Sequence, residues 1–217
     1  WEVSNIQNTP KTQNPYPPFI TSTLQQEGIR KLRMNSTQIM RVAQSLYENG
    51  HITYMRTDSI HLSKEALNAS RSVIEKKYGS EYLPKSPRIY KVKTKNVQEA
   101  HEAIRPAGSK FKGPSELKSS LTEIEYKVYE LIWKRTVASQ MNSAKTEQTK
   151  LEITSDKYVF VANGKTIIFP GFLRAYVEGA DDPNEKLDDM ENTLPIVKKG
   201  EKISWDDIIP KQHFTKP

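Results

Sequence analysis

The sequence predicts an α+β protein with a helical middle set between β-rich ends. Three observations carry that expectation. Apolar residues recur at helical spacing between about Thr21 and Met141. From residue 144 onward the chain is rich in β-branched and aromatic residues. Four prolines from Pro10 to Pro18 separate a short opening segment from the first helix.

Each element can be justified in turn. Trp1 to Ile6 reads as a short extended segment, and the prolines after it favour an extended linker. A helix is expected from Thr21, with Ser22-Thr-Leu-Gln25 as a capping box. A second starts at Ser36; Ile39, Val42, Ala43, Leu46 and Tyr47 make its buried stripe, and Asn49-Gly50 stops it. His51 to Arg56 reads as a strand, and Ser63 to Tyr78 as a third helix closed by Gly79. Residues 80 to 96 are expected to be irregular and basic. A short helix from Gln98 to Ile104 must end near Arg105, because the residue before Pro106 disfavours helical geometry. Thr122-Glu-Ile-Glu125 caps a long helix to about Met141, with Ile124, Val128, Leu131 and Ile132 inward. Then come the stretches 150–154, 158–162 and 165–169, the last two joined by a hairpin turn at Asn163-Gly164. An acidic loop, Asp181 to Glu191, precedes a final strand near Ile203 to Ile209.

Composition narrows the function. The 217 residues include no cysteine, so disulfides, a zinc ribbon and a thiol nucleophile are all excluded. No run approaches the length of a membrane span and no signal peptide opens the chain, so a soluble, cytoplasmic protein is expected. An opening Trp1 in place of methionine is expected of a piece cut from something longer. The net charge of +7 suggests an anionic partner, with nucleic acid the usual one. The excess is concentrated between Phe19 and Ser143, which hold 21 Lys/Arg against 12 Asp/Glu. A solvated lysine-rich surface would carry the same charge.

Two stretches hold residues suited to phosphate chemistry. In Ile52-Thr-Tyr-Met-Arg-Thr-Asp-Ser59, an extended backbone puts Tyr54 and Arg56 on one face, with Thr53 and Met55 on the other. A free phenol ionises near pH 10, at about the pKa of the isolated side chain. A nearby guanidinium favours the anion and forks across two phosphate oxygens. A packed tyrosine beside a surface arginine is the plainer alternative. In Gln98-Glu-Ala-His-Glu-Ala-Ile-Arg-Pro106, a helix would put His101 and Arg105 on one face, where they could hold a backbone phosphate. Arg105 stands where a zinc-protease motif needs its second histidine. Gly164-Lys165-Thr166 imitates the end of a phosphate-binding loop, but Val159 replaces the required glycine, so no nucleotide is expected.

Taken together, the tyrosine stretch and the later His101-Glu-Ala-Ile-Arg-Pro106 resemble the type IA DNA topoisomerases. Met55, where topoisomerase III relatives tend to carry proline, favours the bacterial topoisomerase I branch. Pro18-Phe-Ile-Thr-Ser-Thr-Leu-Gln-Gln26 and Gln212-His-Phe-Thr-Lys-Pro217 extend the likeness over nearly the whole chain. The resemblance implies a helical, winged-helix-like nucleophile domain (16–143) inserted into a β-rich arch domain made of 1–15 and 144–217. It implies that Tyr54 becomes joined to a DNA 5′ phosphate. Arg56 and His101 would position the scissile phosphate, and Arg105 is a further candidate DNA contact. The implied reaction cleaves one strand, passes another and reseals the break, relaxing negative supercoils without ATP. The implied partner is DNA, with single-stranded segments preferred, in the nucleoid of a bacterial cell. The family's acidic metal-binding part is missing, so this chain is expected to hold no cofactor and no metal site. Mg²⁺ is expected only in the full enzyme, and the piece alone is expected to be inactive. A non-catalytic winged-helix DNA-binding module, with Tyr54 in a packing role, is the alternative.

Overall fold

The computed structural model describes residues 1–91, 101–177, 187–204, 207, 209–212 and 214. Its elements run β1 (Glu2–Gln13), α1 (Thr21–Leu32), α2 (Ser36–Glu48), α3 (Lys64–Tyr78), α4 (Pro114–Leu117), α5 (Glu123–Ser139), β2 (Ala144–Ser155), β3 (Tyr158–Phe169) and α6 (Leu173–Val177). This is a mixed architecture of a helical body and one three-stranded antiparallel sheet, in the order β1-β2-β3. No helix among the described residues is long and apolar enough to cross a membrane.

The sheet is more extensive than the sequence suggests. The opening strand does not stop at Ile6 but pairs with β2 from Glu2↔Thr154 to Gln13↔Ala144. Pro10 lies inside it, opposite Glu147. A proline is tolerated there because β1 is an edge strand, where a missing N–H can face away from the ladder. The expected hairpin at Asn163-Gly164 is also displaced. β2 and β3 pair from Ser155↔Tyr158 to Lys145↔Phe169, with one register shift between Lys145 and Thr146, so the turn falls at Asp156 and Lys157. Asp156 takes the left-handed φ of 50° that the turn requires. Gly164 is needed for another reason: a Cβ there would stand 2.8 Å from Leu194 Cγ and 2.9 Å from the Asn192 carbonyl oxygen. The chain around Asn192 folds back across β3, bonded in both directions to Lys165. Of the acidic loop expected at 181–191, residues 181–186 lie outside the described residues. Of the expected final strand, Lys202 bridges to Glu2 and the Ile203 N–H reaches the Trp1 carbonyl, while residues 205, 206 and 208 lie outside the described set.

The core lies in the helical body. α5 runs through its centre, where Val128, Tyr129, Ile132, Trp133 and Val137 are buried against α1, α2, α3 and α4. Ile39, Ala43 and Leu46 line the inner face of α2, as the periodicity predicts. Ile124 is 43 % exposed, so the buried face of α5 begins one turn later than expected. The Thr122 cap matches expectation, accepting from the Glu125 N–H, while Ser63, expected to open α3, caps it instead by accepting from the Ala66 N–H. At α1 the cap moves back: the helix starts after Ile20, whose N–H donates to Thr23 Oγ1.

Among the described residues the chain crosses between body and sheet near 14–18, 140–143 and 170–172, where α6 returns to pack on α5. The first two crossings are tied to residues 88–90. Arg88 donates from Nε to the Met141 carbonyl (2.7 Å) and from a terminal nitrogen to Ser143 Oγ (2.7 Å). Tyr90 donates to the Ser139 carbonyl at 2.8 Å, and burial pushes its phenol up to about 12. The Arg135 guanidinium donates to the Pro17 carbonyl and lies 4.6 Å from the centre of the Phe19 ring.

The turn assignment makes opposite predictions for two substitutions. Asp156→Gly removes a left-handed strain of about 1 kcal/mol and should leave stability unchanged or raised. Gly164→Ala should cost about 1–3 kcal/mol, because the new Cβ meets backbone that cannot move away freely. Thermal melting of the two variants checks this; the reverse order would put the turn back at Asn163-Gly164.

Candidate functional site

The stretch from residue 51 to 59 is not a regular strand. It makes a single bridge, Ile52 with Pro106, and otherwise follows an extended path held by side chains. The Thr53 N–H donates to the Arg105 carbonyl at 2.9 Å, and the Ala107 N–H to the His51 carbonyl at 2.9 Å. The Thr53 hydroxyl donates to the Ala103 carbonyl at 2.7 Å and accepts from the Arg105 N–H at 3.0 Å. On the other side, Thr21 at the start of α1 grips the loop. Its hydroxyl lies 2.8 Å from the Met55 carbonyl and accepts from the Thr57 N–H at 2.9 Å.

Alternation follows from these anchors. Met55, Thr57 and Ser59 are buried, while Tyr54, Arg56 and Asp58 are exposed. Met55 is 1 % exposed and Tyr54 is 44 % exposed, so the phenol stands clear of a firmly seated backbone. The period-two reading therefore places Tyr54 and Arg56 on the same, outer side, although the local structure is a pinned loop. Tyr54 also touches Tyr47 on α2, edge to face, with ring centres 5.2 Å apart.

Arg56 and His101 come together. Both line an open hollow of about 510 Å³, with Asp58, Thr21, Ser22 and Gln25 around them. The N-terminal end of α1 borders this hollow, and the positive end of a helix dipole favours an anion there. The Arg56 guanidinium has no partner among the described residues. The chemistry of this hollow suits an anion such as a phosphate.

Two expectations need correction here. Residues 101–105 are not helical: Ile104 bridges to Phe19, and the Ala103 N–H donates to the His61 carbonyl. The rest of the expected helix, 98–100, lies outside the described residues. His101 and Arg105 thus do not share a helix face. Arg105 is 6 % exposed, with its guanidinium turned inward onto Glu102 Oε2 (2.6 Å) and the carbonyls of Pro106 and Gly108. That geometry leaves Arg105 no surface to offer DNA. Proline at 106 had suggested a helix end; in fact residues 101–107 are extended and laced to residues 51–53.

The sequence reading overlooked Thr21, Thr53 and Glu102. Threonine hydroxyls that bind backbone leave no periodic signal, but Glu102 lay inside the quoted motif. It accepts from Arg105 and from the Ser63 N–H (2.6 Å), and so ties α3 to the His101 segment. Burial raises the Glu102 carboxyl, but the hydrogen bonds from Arg105 and Ser63 together outweigh it and hold the group below the usual carboxylate range.

No group of three or more His, Asp or Glu able to hold an ion occurs among the described residues. Asp58 is the one carboxylate on the hollow, beside a cationic Arg56, and this does not fit an octahedral Mg²⁺.

Comparison with known proteins places the chain in a family. The family model for DNA topoisomerase matches residues 1–217. DNA topoisomerase 1 of Synechococcus elongatus is 51 % identical over 217 residues, covering 100 % of this chain and 24 % of the relative. DNA topoisomerase 1 of Streptomyces coelicolor is 52 % identical over 220 residues, covering 99 % of this chain and 23 % of the relative. The full-length topoisomerase I structure from Thermotoga maritima superimposes with a TM-score of 0.73 at 34 % identity, covering 92 % of this chain and 32 % of that one. The chain belongs to the DNA topoisomerase family, and it spans about a quarter of the length of the curated relatives it matches.

The lowered Glu102 carboxyl yields a pH prediction. A group depressed on folding stabilises the fold above its unfolded value and loses that contribution as pH falls through the folded one. Glu102→Gln should cost about 1–3 kcal/mol at neutral pH. The gap to wild type should close below about pH 4.5, the group's ordinary value. Denaturant unfolding across pH 3–7 checks this, and a gap that stayed constant would rule out Glu102 as the titrating partner.

Proposed function

We propose that this chain is the nucleophile-bearing part of a bacterial type IA DNA topoisomerase. The observation that carries the reading is the exposed Tyr54, anchored on both sides and flanked by Arg56, whose guanidinium has no partner among the described residues. The names of the relatives, DNA topoisomerase 1, support it.

In the proposed reaction the Tyr54 oxygen attacks a phosphodiester of one DNA strand. The new bond joins phosphorus to the phenolic oxygen, the bond to the 3′ oxygen breaks, and the phenolic proton is lost as the 3′ hydroxyl gains one. Bond energy is kept in the phosphotyrosine ester, so no ATP is required. Arg56 forks across the two charged oxygens and favours the phenolate. His101, on the same hollow, orients the phosphate from the other side. Another strand passes, and the 3′ hydroxyl reverses the attack, relaxing negative supercoils. Arg105 serves as a buried strut under the Thr53 segment, and not as a DNA contact.

The domain reading belongs to the same proposal. β1 with β2 and β3 forms part of an arch (1–15 and 144–217), and the helical body (16–143) is a winged-helix-like insert. Because Pro10 sits within β1, the hinge that lets the insert lift is narrowed to residues 14–18 and 140–143. Mg²⁺ and the remaining acidic groups come from parts of the full enzyme outside this chain, and single-stranded DNA in a bacterial nucleoid is the substrate. The isolated chain should fail to relax supercoiled DNA.

In the full-length enzyme, Tyr54→Phe should abolish the covalent adduct with end-labelled single strand on a denaturing gel. DNA affinity should change by no more than about one hydrogen bond's worth, 0.5–1.5 kcal/mol. An adduct that persists in the Phe variant would defeat the assignment. Wild-type enzyme that forms no adduct would favour a non-catalytic DNA-binding module.

A further inference from the structure

Most described arginines are satisfied internally: Arg30 by Glu27, Arg71 by the Pro84 carbonyl, and Arg88, Arg105 and Arg135 by the groups named above. Arg33, Arg41 and Arg56 are exposed with no hydrogen-bond or ion-pair partner among the described residues, and of these Arg41 and Arg56 share a hollow. Both face one hollow of about 410 Å³ between α1 and α2, lined also by Gln25, Ser36, Thr37 and Gln44. Among the described residues no carboxylate lines it. Two guanidiniums at one hollow repel unless an anion lies between them. Hydroxyls and amides around them supply neutral donors, so the chemistry is that of a phosphate site.

This hollow adjoins the one at His101, and Arg56 and Gln25 line both. We infer that the hollow at Arg41 is a second phosphate-binding site, which takes the neighbouring phosphodiester of a single strand whose other phosphate lies against Arg56 and His101. A strand fits better than a small free anion, because two adjoining hollows with a shared arginine suit successive phosphates of one chain. The inference rests on the proposed function for its ligand. It adds a direction: the strand leaves Arg56 across the first turns of α2.

The test measures binding, not cleavage. The 217-residue chain is titrated with a fluorescent ten-nucleotide oligothymidylate over a range of salt, and separately with inorganic phosphate. Arg41→Gln should weaken oligonucleotide binding about three- to tenfold and lower the slope of log affinity against log salt by about 0.7, the value for one lost single-strand phosphate contact. Arg41→Lys keeps the charge and should retain most of the slope. Lys76→Gln, at an exposed position on α3, controls for loss of charge alone and should match wild type. Unchanged affinity and slope for Arg41→Gln, or an equal loss for Lys76→Gln, would overturn the inference. Weaker inorganic phosphate binding with oligonucleotide binding intact would make this a free-anion site and overturn the strand path. Circular dichroism confirms that each variant is folded. A missing adduct at Tyr54 would sink the proposed function and leave this binding result standing.

Discussion

Thr53 and Thr21 hold the backbone on either side of Tyr54, and most of what the site can do depends on those two hydroxyls. One stitches residues 51–53 to 103–107, and the other fastens Met55 and Thr57 to the start of α1. With every second residue drawn into the core, those between must face outward. A phenol on such a loop is both accessible and restricted, which nucleophilic attack requires. Each bond contributes about 0.5–1.5 kcal/mol, so a small set of neutral contacts suffices to fix the register.

The same constraint explains which parts of the molecule were legible in the sequence. Ile39, Ala43 and Leu46 are buried at helical spacing, and the caps at Ser63 and Thr122 fall where local rules put them. Those features depend on neighbours within a few residues. The failures involve partners far along the chain. Asn163-Gly164 has hairpin chemistry, yet β2 continues past it, and Gly164 serves a close approach by residues 192–194. Pro10 looked like a linker residue until β2, more than a hundred residues later, paired with it. The expected helix through His101 was overridden by lacing to Thr53, fifty residues before it. At the site, residue types were readable and placements less so: Arg56 and His101 line one hollow and Tyr54 is exposed, whereas Arg105 is buried.

Charge reinforces this division. Net charge does not separate structural cations from binding cations, but pairing does. Arg105 and Arg135 are enclosed by carbonyls, a carboxylate and aromatic rings, and their charge is absorbed by the fold. Arg56 and Arg41 line open hollows without partners among the described residues. Much of the basic excess of the helical body is exposed lysine, while Arg105 and Arg135 are drawn into the scaffold.

Tyr47 and Tyr54 are both exposed and their rings are in contact, so loss of activity in a variant does not by itself identify the atom that bonds to DNA. The most direct test is to trap the covalent complex of the full-length enzyme with a single strand, digest both components, and locate the nucleotide-bearing peptide by mass spectrometry. The account predicts a phosphodiester on Tyr54, with Tyr47 unmodified. Attachment to Tyr47, or to any residue outside the pinned loop, would contradict it.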